Sequence, residues 1–180
     1  MEDERELIAR IADGDRDAFA SFFRQYADRV YRYALTLVRD WALAEEVVQE
    51  TMLAVWKGAG TFRGSGRPST WVLGIARHKG LDKLRRERQS AKLQAEHEEP
   101  DTVVDPEREA ARESLQNRVR GALEKLPPEH RETVVLAFYH GLSYKEIAEL
   151  MGCPEGTVKS RMFYAKEQMK ELLKEERWIF

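Results

Sequence analysis

Apolar residues recur at three- and four-residue spacing through most of this chain, the period that gathers side chains on one face of an α-helix. A first helix is predicted from Asp3 to Ile11, ending where Asp13-Gly14-Asp15 breaks the pattern. Ala18, Phe19, Phe22, Phe23, Tyr26, Val30, Tyr31, Ala34, Leu35 and Val38 then form an aromatic-rich stripe that reads as core. A second long helix runs from Trp41 to Trp56 and turns Ala44, Val47, Val48, Thr51, Met52, Val55 and Trp56 inward. No tract alternates apolar and β-branched residues between turn signals, so the fold class is all-α.

Gly58, Gly60, Gly64, Gly66 and Pro68 mark a loop, and Thr70 is placed to cap a helix beginning near Trp71. That helix carries Trp71, Ile75, Ala76, Leu81 and Leu84. From Gln89 to Ala111 the stripe is lost and Pro100 and Pro106 interrupt any helix. The chain therefore reads as two helical domains, 1–88 and 112–180, joined by a flexible acidic linker over 89–111. The second domain opens with a helix around Glu113 to Leu126, is punctuated by Pro127-Pro128, and continues through Val134, Val135, Leu136, Phe138 and Tyr139 to a stop at Gly141.

After Gly141 the local signals become specific. Ser143 and Glu146 stand at capping-box spacing, and Ile147, Ala148 and Met151 share one face. Gly152 supplies a positive φ and Pro154 suits the opening turn of a following helix. Val158, Met162, Ala165 and Met169 form the buried stripe of that helix, so Lys159, Ser160 and Phe163 face outward, with Lys166 nearby and Arg161 toward the margin. This is a helix-turn-helix, and Thr157, Lys159, Ser160, Arg161, Phe163 and Lys166 are the candidate contacts to duplex DNA. The rival explanation is that Phe163 packs on a neighbouring helix and the lysines are simply solvated.

Charge is segregated in a way that the total conceals. The 180 residues carry 30 Lys and Arg against 32 Asp and Glu, a net of −2, which by itself does not suggest a nucleic-acid partner. Yet Arg63, Arg67, Arg77, Lys79, Lys83, Arg85, Arg86 and Arg88 form one basic block, and the stretch from Glu96 to Glu109 is acidic. Basic residues interleaved with Trp71 beside a glycine-rich loop suit single-stranded nucleic acid, which stacks on aromatics while its phosphates are neutralised. Glu45, Glu46, Gln49 and Glu50 make a compact acidic patch on the outer face of the Trp41–Trp56 helix; it is read as a protein-docking surface, with a solvated helix face as the bland alternative.

Catalytic, metal and cofactor roles find no support. His78, His97, His130 and His140 lack paired metal spacing, no Walker-type loop occurs, and a lone Cys153 excludes an internal disulfide. Cys153 is expected half-buried in the turn, as a small apolar filler or a redox sensor. The N-terminus lacks a signal-peptide pattern and no apolar run approaches spanning length, so a cytoplasmic location without membrane insertion is expected.

The order of these pieces resembles the extracytoplasmic-function group of bacterial RNA polymerase sigma factors. The carriers are Asp40 to Thr51, then Phe62-Arg63-Gly64 with Thr70 to Arg77, Leu126-Pro127-Pro128, Gly141 to Ala148, and Gly156 to Arg161. The resemblance implies a non-enzymatic, stress-responsive transcription initiation factor in which 1–88 is region two and 112–180 is region four. Region two would dock on the clamp of the polymerase beta-prime subunit through Glu45, Glu46, Gln49 and Glu50. It would capture the unpaired downstream promoter strand through Arg63, Arg67, Trp71, Arg77, His78, Lys79 and Lys83. Region four would read the upstream element as duplex, and an anti-sigma protein, which in some settings sits at the membrane, would hold the factor inactive. His78 stands where the family commonly has asparagine, and it serves either as a hydrogen-bond partner of a flipped base or as a phosphate neighbour or unengaged surface group. A helix-turn-helix regulator acting without polymerase is the main alternative, but it leaves the acidic patch and the basic segment without purpose.

Overall fold

The computed structural model describes residues 3–64, 66–94 and 115–175. Most of the expected acidic linker therefore lies outside the described residues. Its first part does not: the helix expected to end before Gln89 continues to Gln94.

Four helices build the N-terminal unit, and side-chain caps set where three of them start. Asp3 caps α1 (Glu4–Ala12) by accepting the Arg5 amide. Asp15 caps α2 (Arg16–Val38) by accepting the Asp17 and Ala18 amides, while Arg10 donates to its other oxygen at 2.9 Å. Asp40 caps α3 (Trp41–Gly58) through the Leu43 amide. Such caps contribute about 1 kcal/mol each. α4 (Pro68–Gln94) begins earlier than expected, because Pro68 has no amide to satisfy and a φ already suited to a first turn. Thr70 is thus inside the helix rather than its cap, and its hydroxyl is free for a distant partner.

The α2 stripe is buried at Ala18, Phe22, Tyr26, Val30, Ala34 and Val38, but Phe23 is exposed at the surface and Tyr33 takes a core position. α2, α3 and α4 pack on one another around Val47, Val55, Val72, Leu73 and Ala76. At the α2–α4 crossing, Gly80 lets the backbones approach: a Cβ there would lie 3.1 Å from Leu37 Cδ1.

The C-terminal unit comprises α5 (Leu115–Glu124), α6 (Pro128–Val134), α7 (Tyr144–Met151) and α8 (Glu155–Glu175). α6 runs directly into a π-helical turn over Val135–Tyr139, in which the His140 amide bonds the Val135 carbonyl. The extra residue in that turn shifts the face, so Leu136 is buried while Phe138 and Tyr139 are exposed. α7 opens with the expected Ser143–Glu146 capping box and closes at Gly152 with φ 65°. Val158, Met162 and Ala165 are buried as anticipated, and Cys153 is half-buried.

The two units pack together. One continuous buried cluster runs from Phe22, Tyr33 and Val72 in the first to Leu136, Leu142, Ile147 and Met151 in the second. Among the described residues no helix is long and apolar enough to cross a membrane.

Candidate nucleic-acid interface

Two separate surfaces collect the sequence-predicted contacts. The first is a cleft of about 740 Å³ between the 61–67 loop, the N-terminal half of α4 and α7. Arg63, Arg67, Trp71, His78 and Lys79 all line it. Trp71 is half-buried with its ring centroid 5.2 Å from that of Phe62, so its body is anchored while one side faces the cleft. Lys79 also lies 3.9 Å from Glu50 on α3, and exposed His78 lies 3.4 Å from Asp82.

Two of the seven downstream candidates go elsewhere. Lys83 is largely buried against α3, where it pairs with Glu46 and, at 2.9 Å, with Glu50. The Glu46 and Glu50 carboxylates hold its ammonium above the ordinary lysine range, and Lys83 in turn holds Glu50 below the usual carboxylate range. The acidic patch is thus partly neutralised from α4, leaving Glu45, Glu46 and Gln49 exposed on the α3 face beside Trp41, itself 67% exposed. Arg77 turns into the junction between the units, where its Nε donates to Glu132 Oε1 at 2.8 Å.

That junction was not legible beforehand. Glu132 is buried and also accepts from the Tyr33 hydroxyl at 2.7 Å. Burial first, and then the Glu132 charge, push the Tyr33 phenol well up; Arg77 is held charged because Glu132 outweighs the cost of burial. Arg29 donates to the His140 carbonyl at 2.7 Å and to His140 Nδ1 at 3.3 Å. Arg67 donates to the Gly141 carbonyl at 3.0 Å, and the Thr70 hydroxyl donates to Glu146 Oε1 at 3.1 Å. These partners are 55 to 111 residues apart in sequence and polar, so no periodic pattern links them. In the structure the run Arg131-Glu132-Thr133 is buried throughout within the short α6.

The second surface is the outward face of α8. Lys159, Ser160, Phe163 and Lys166 are all exposed there, Phe163 at 62%, and Thr157 sits half-exposed at the helix start. Lys159 pairs with Glu155 at 2.9 Å, an exposed contact that is readily exchanged for a phosphate. Lys166 lies over the Phe138 ring, and Arg161 is held at the margin, its guanidinium 3.7 Å from Cys153 Sγ. An exposed aromatic flanked by donors on a second helix-turn-helix helix fits base edges, sugar and phosphate in a major groove. Among the described residues no group of three or more metal-ligating side chains converges.

Comparison with known proteins follows the same division. Residues 22–90 match the family model for sigma-70 region 2, and residues 116–169 match that for sigma-70 region 4. The chain is 34% identical over 168 residues to the RNA polymerase sigma factor CarQ of Myxococcus xanthus, covering 93% of this chain and 96% of that one. It is 31% identical to the ECF RNA polymerase sigma factor SigK of Mycolicibacterium vanbaalenii, over 87% of this chain and 82% of the relative. Among solved structures it is similar to the sigma factor RpoE of Bartonella quintana in complex with the anti-sigma factor NepR, with a TM-score of 0.72, 25% identity and coverage of 87% and 96%.

Proposed function

Because this chain belongs to the extracytoplasmic-function group of RNA polymerase sigma factors, we propose that it divides promoter recognition between residues 1–88, acting as region two, and residues 112–180, acting as region four. The observation that carries this reading is the pair of distinct residue sets, the basic and aromatic cleft residues Arg63 to Lys79 on the unit matching region 2 and the outward α8 face on the unit matching region 4. In region two, Arg63, Arg67 and Lys79 neutralise the backbone of an unpaired strand while a base stacks at Trp71 and His78 hydrogen-bonds a flipped base. In region four, Lys159, Ser160 and Phe163 read the upstream element as duplex, with Thr157, Arg161 and Lys166 on phosphate.

The exposed α3 face with Glu45, Glu46 and Gln49, and Glu50 behind it, docks on the clamp of the beta-prime subunit. Glu50 contributes chiefly by holding Lys83 and Lys79 against α3. An anti-sigma protein is the expected inhibitor, as supported by the relative solved in complex with one. The site of action is the cytoplasm, where the polymerase works. The test is reconstitution: purified protein with core polymerase on a promoter library should give initiation from a defined subset of sequences. Sequence-specific duplex binding without any gain of initiation would instead favour a regulator that works without polymerase docking.

A further inference from the structure

The cleft of region two is closed on one side by region four. Glu146, Glu149 and Leu150 of α7 line it opposite Arg63, Arg67 and Lys79, so carboxylates of the chain itself stand where strand phosphates are expected. We propose that in the polymerase-free protein region four is docked as an intramolecular lid over the single-strand cleft, latched by Glu132, so that lid closure and capture of unpaired DNA exclude one another. This rests on the reading of the cleft given above.

Three features carry it. First, Glu132 is buried and takes both its donors, Tyr33 and Arg77, from region two. A buried carboxylate without partners is costly, so this arrangement holds the units together as a specific contact. Second, the lid uses groups assigned to DNA: Arg77 is occupied by Glu132, and Arg67 by the Gly141 carbonyl and, at 3.8 Å, by Glu146. Third, closure is selective. The α8 face with Phe163 and the α3 face with Trp41 both remain exposed, so duplex and polymerase surfaces stay open while the strand-capturing cleft is walled on one side by α7. The order that follows is docking first, lid release second, strand capture last. A free factor would thus be kept from unpaired DNA without an added inhibitor.

The experiment measures binding of a fluorescent single-stranded oligonucleotide by the full chain without polymerase, alongside the distance between spin labels at Arg24→Cys and Lys145→Cys in a Cys153→Ser background. Glu132→Ala should lengthen the distance and tighten oligonucleotide binding by about tenfold or more, since apparent affinity scales with the open fraction. Tyr33→Phe removes one latch bond while keeping the ring, and should move both readouts the same way by less. It carries the test if Glu132→Ala fails to fold. Unchanged distance in both variants overturns the latch; a longer distance with unchanged oligonucleotide affinity overturns the occlusion. Initiation by wild-type protein with core polymerase is measured in parallel. Its absence counts against the sigma-factor surfaces themselves, whereas its presence beside unchanged variants counts against the lid alone.

Discussion

Lowering the pH should open the lid through His140. This side chain is 3% exposed at the junction, with Nδ1 accepting from Arg29 Nε and Nε2 without a partner among the described residues. The groups around it are Arg29 and Tyr33 from α2, Tyr139 beside it, Arg67 on the neighbouring Gly141 carbonyl, and Glu132 beyond Tyr33. Burial, and then the Arg29 charge, push its pKa down from 6.5 to about 4. With the lid open the ring returns to water and to its ordinary value. Between those values only the open state takes up the proton, so closure is fully stable above about pH 7 and weakens as pH falls from roughly 6.5 toward 4. At about pH 5 the difference amounts to about 2 kcal/mol, or roughly a thirtyfold shift toward the open state relative to about pH 7.5. Burial acts to raise Glu146, but its Ser143 and Thr70 hydrogen bonds and the Arg67 charge hold it below the usual carboxylate range. The assay is oligonucleotide affinity across that range for wild type and His140→Gln, whose amide oxygen can still accept from Arg29. Wild type should gain up to about thirtyfold more than the variant. Equal pH slopes in the two proteins would refute the reasoning.

Three further outcomes are expected. Lys159→Ala with Phe163→Ala should weaken binding of holoenzyme to an upstream duplex element by about 1–3 kcal/mol in a competition assay, with affinity for core polymerase unchanged. Glu46→Lys with Gln49→Ala should reduce affinity for core, measured by fluorescence anisotropy, with duplex recognition by region four intact. Because Glu46 pairs with Lys83, its melting temperature should be compared as a control for the new like-charge contact. Gly80→Val should lower stability by roughly 1–3 kcal/mol in urea unfolding, since even a Cβ there meets Leu37 at 3.1 Å.

What could be read from sequence was what neighbouring residues decide together. The Ser143–Glu146 box fixes a helix start through bonds spanning three residues, as do Asp15 and Asp40, which were not singled out as caps beforehand, and the α8 stripe fixes the orientation of Phe163 by rotation alone. The cleft was legible for a related reason: Arg63 to Lys79 are close in sequence, and one helix start carries them to one place. The misplacements have local causes too. The helix expected through Phe138 and Tyr139 is a π-helical turn over Val135–Tyr139 that a regular 3.6-residue period does not anticipate, and Pro68 moved the start of α4 ahead of Thr70.

Glu146 shows why the rest stayed hidden. Its Oε2 accepts from the Ser143 amide at 2.8 Å, which explains its presence completely from three residues of sequence. Its Oε1 accepts from Thr70, 76 positions earlier, and that second bond leaves no trace in any local pattern. Glu132 is the extreme case, since both its hydrogen-bond partners lie in the other unit. Local rules locate the surfaces that face outward, such as the α8 face with Phe163 and the α3 face with Trp41, because those residues lack an internal explanation. They miss the residues that face another part of the same chain, because each reads as an ordinary solvated charge until the two units meet. A lid built from such residues engages Arg67 and Arg77 of the cleft unit but leaves the α8 face apart: Glu132 can be altered without touching the α8 face, and the α8 face without touching the latch.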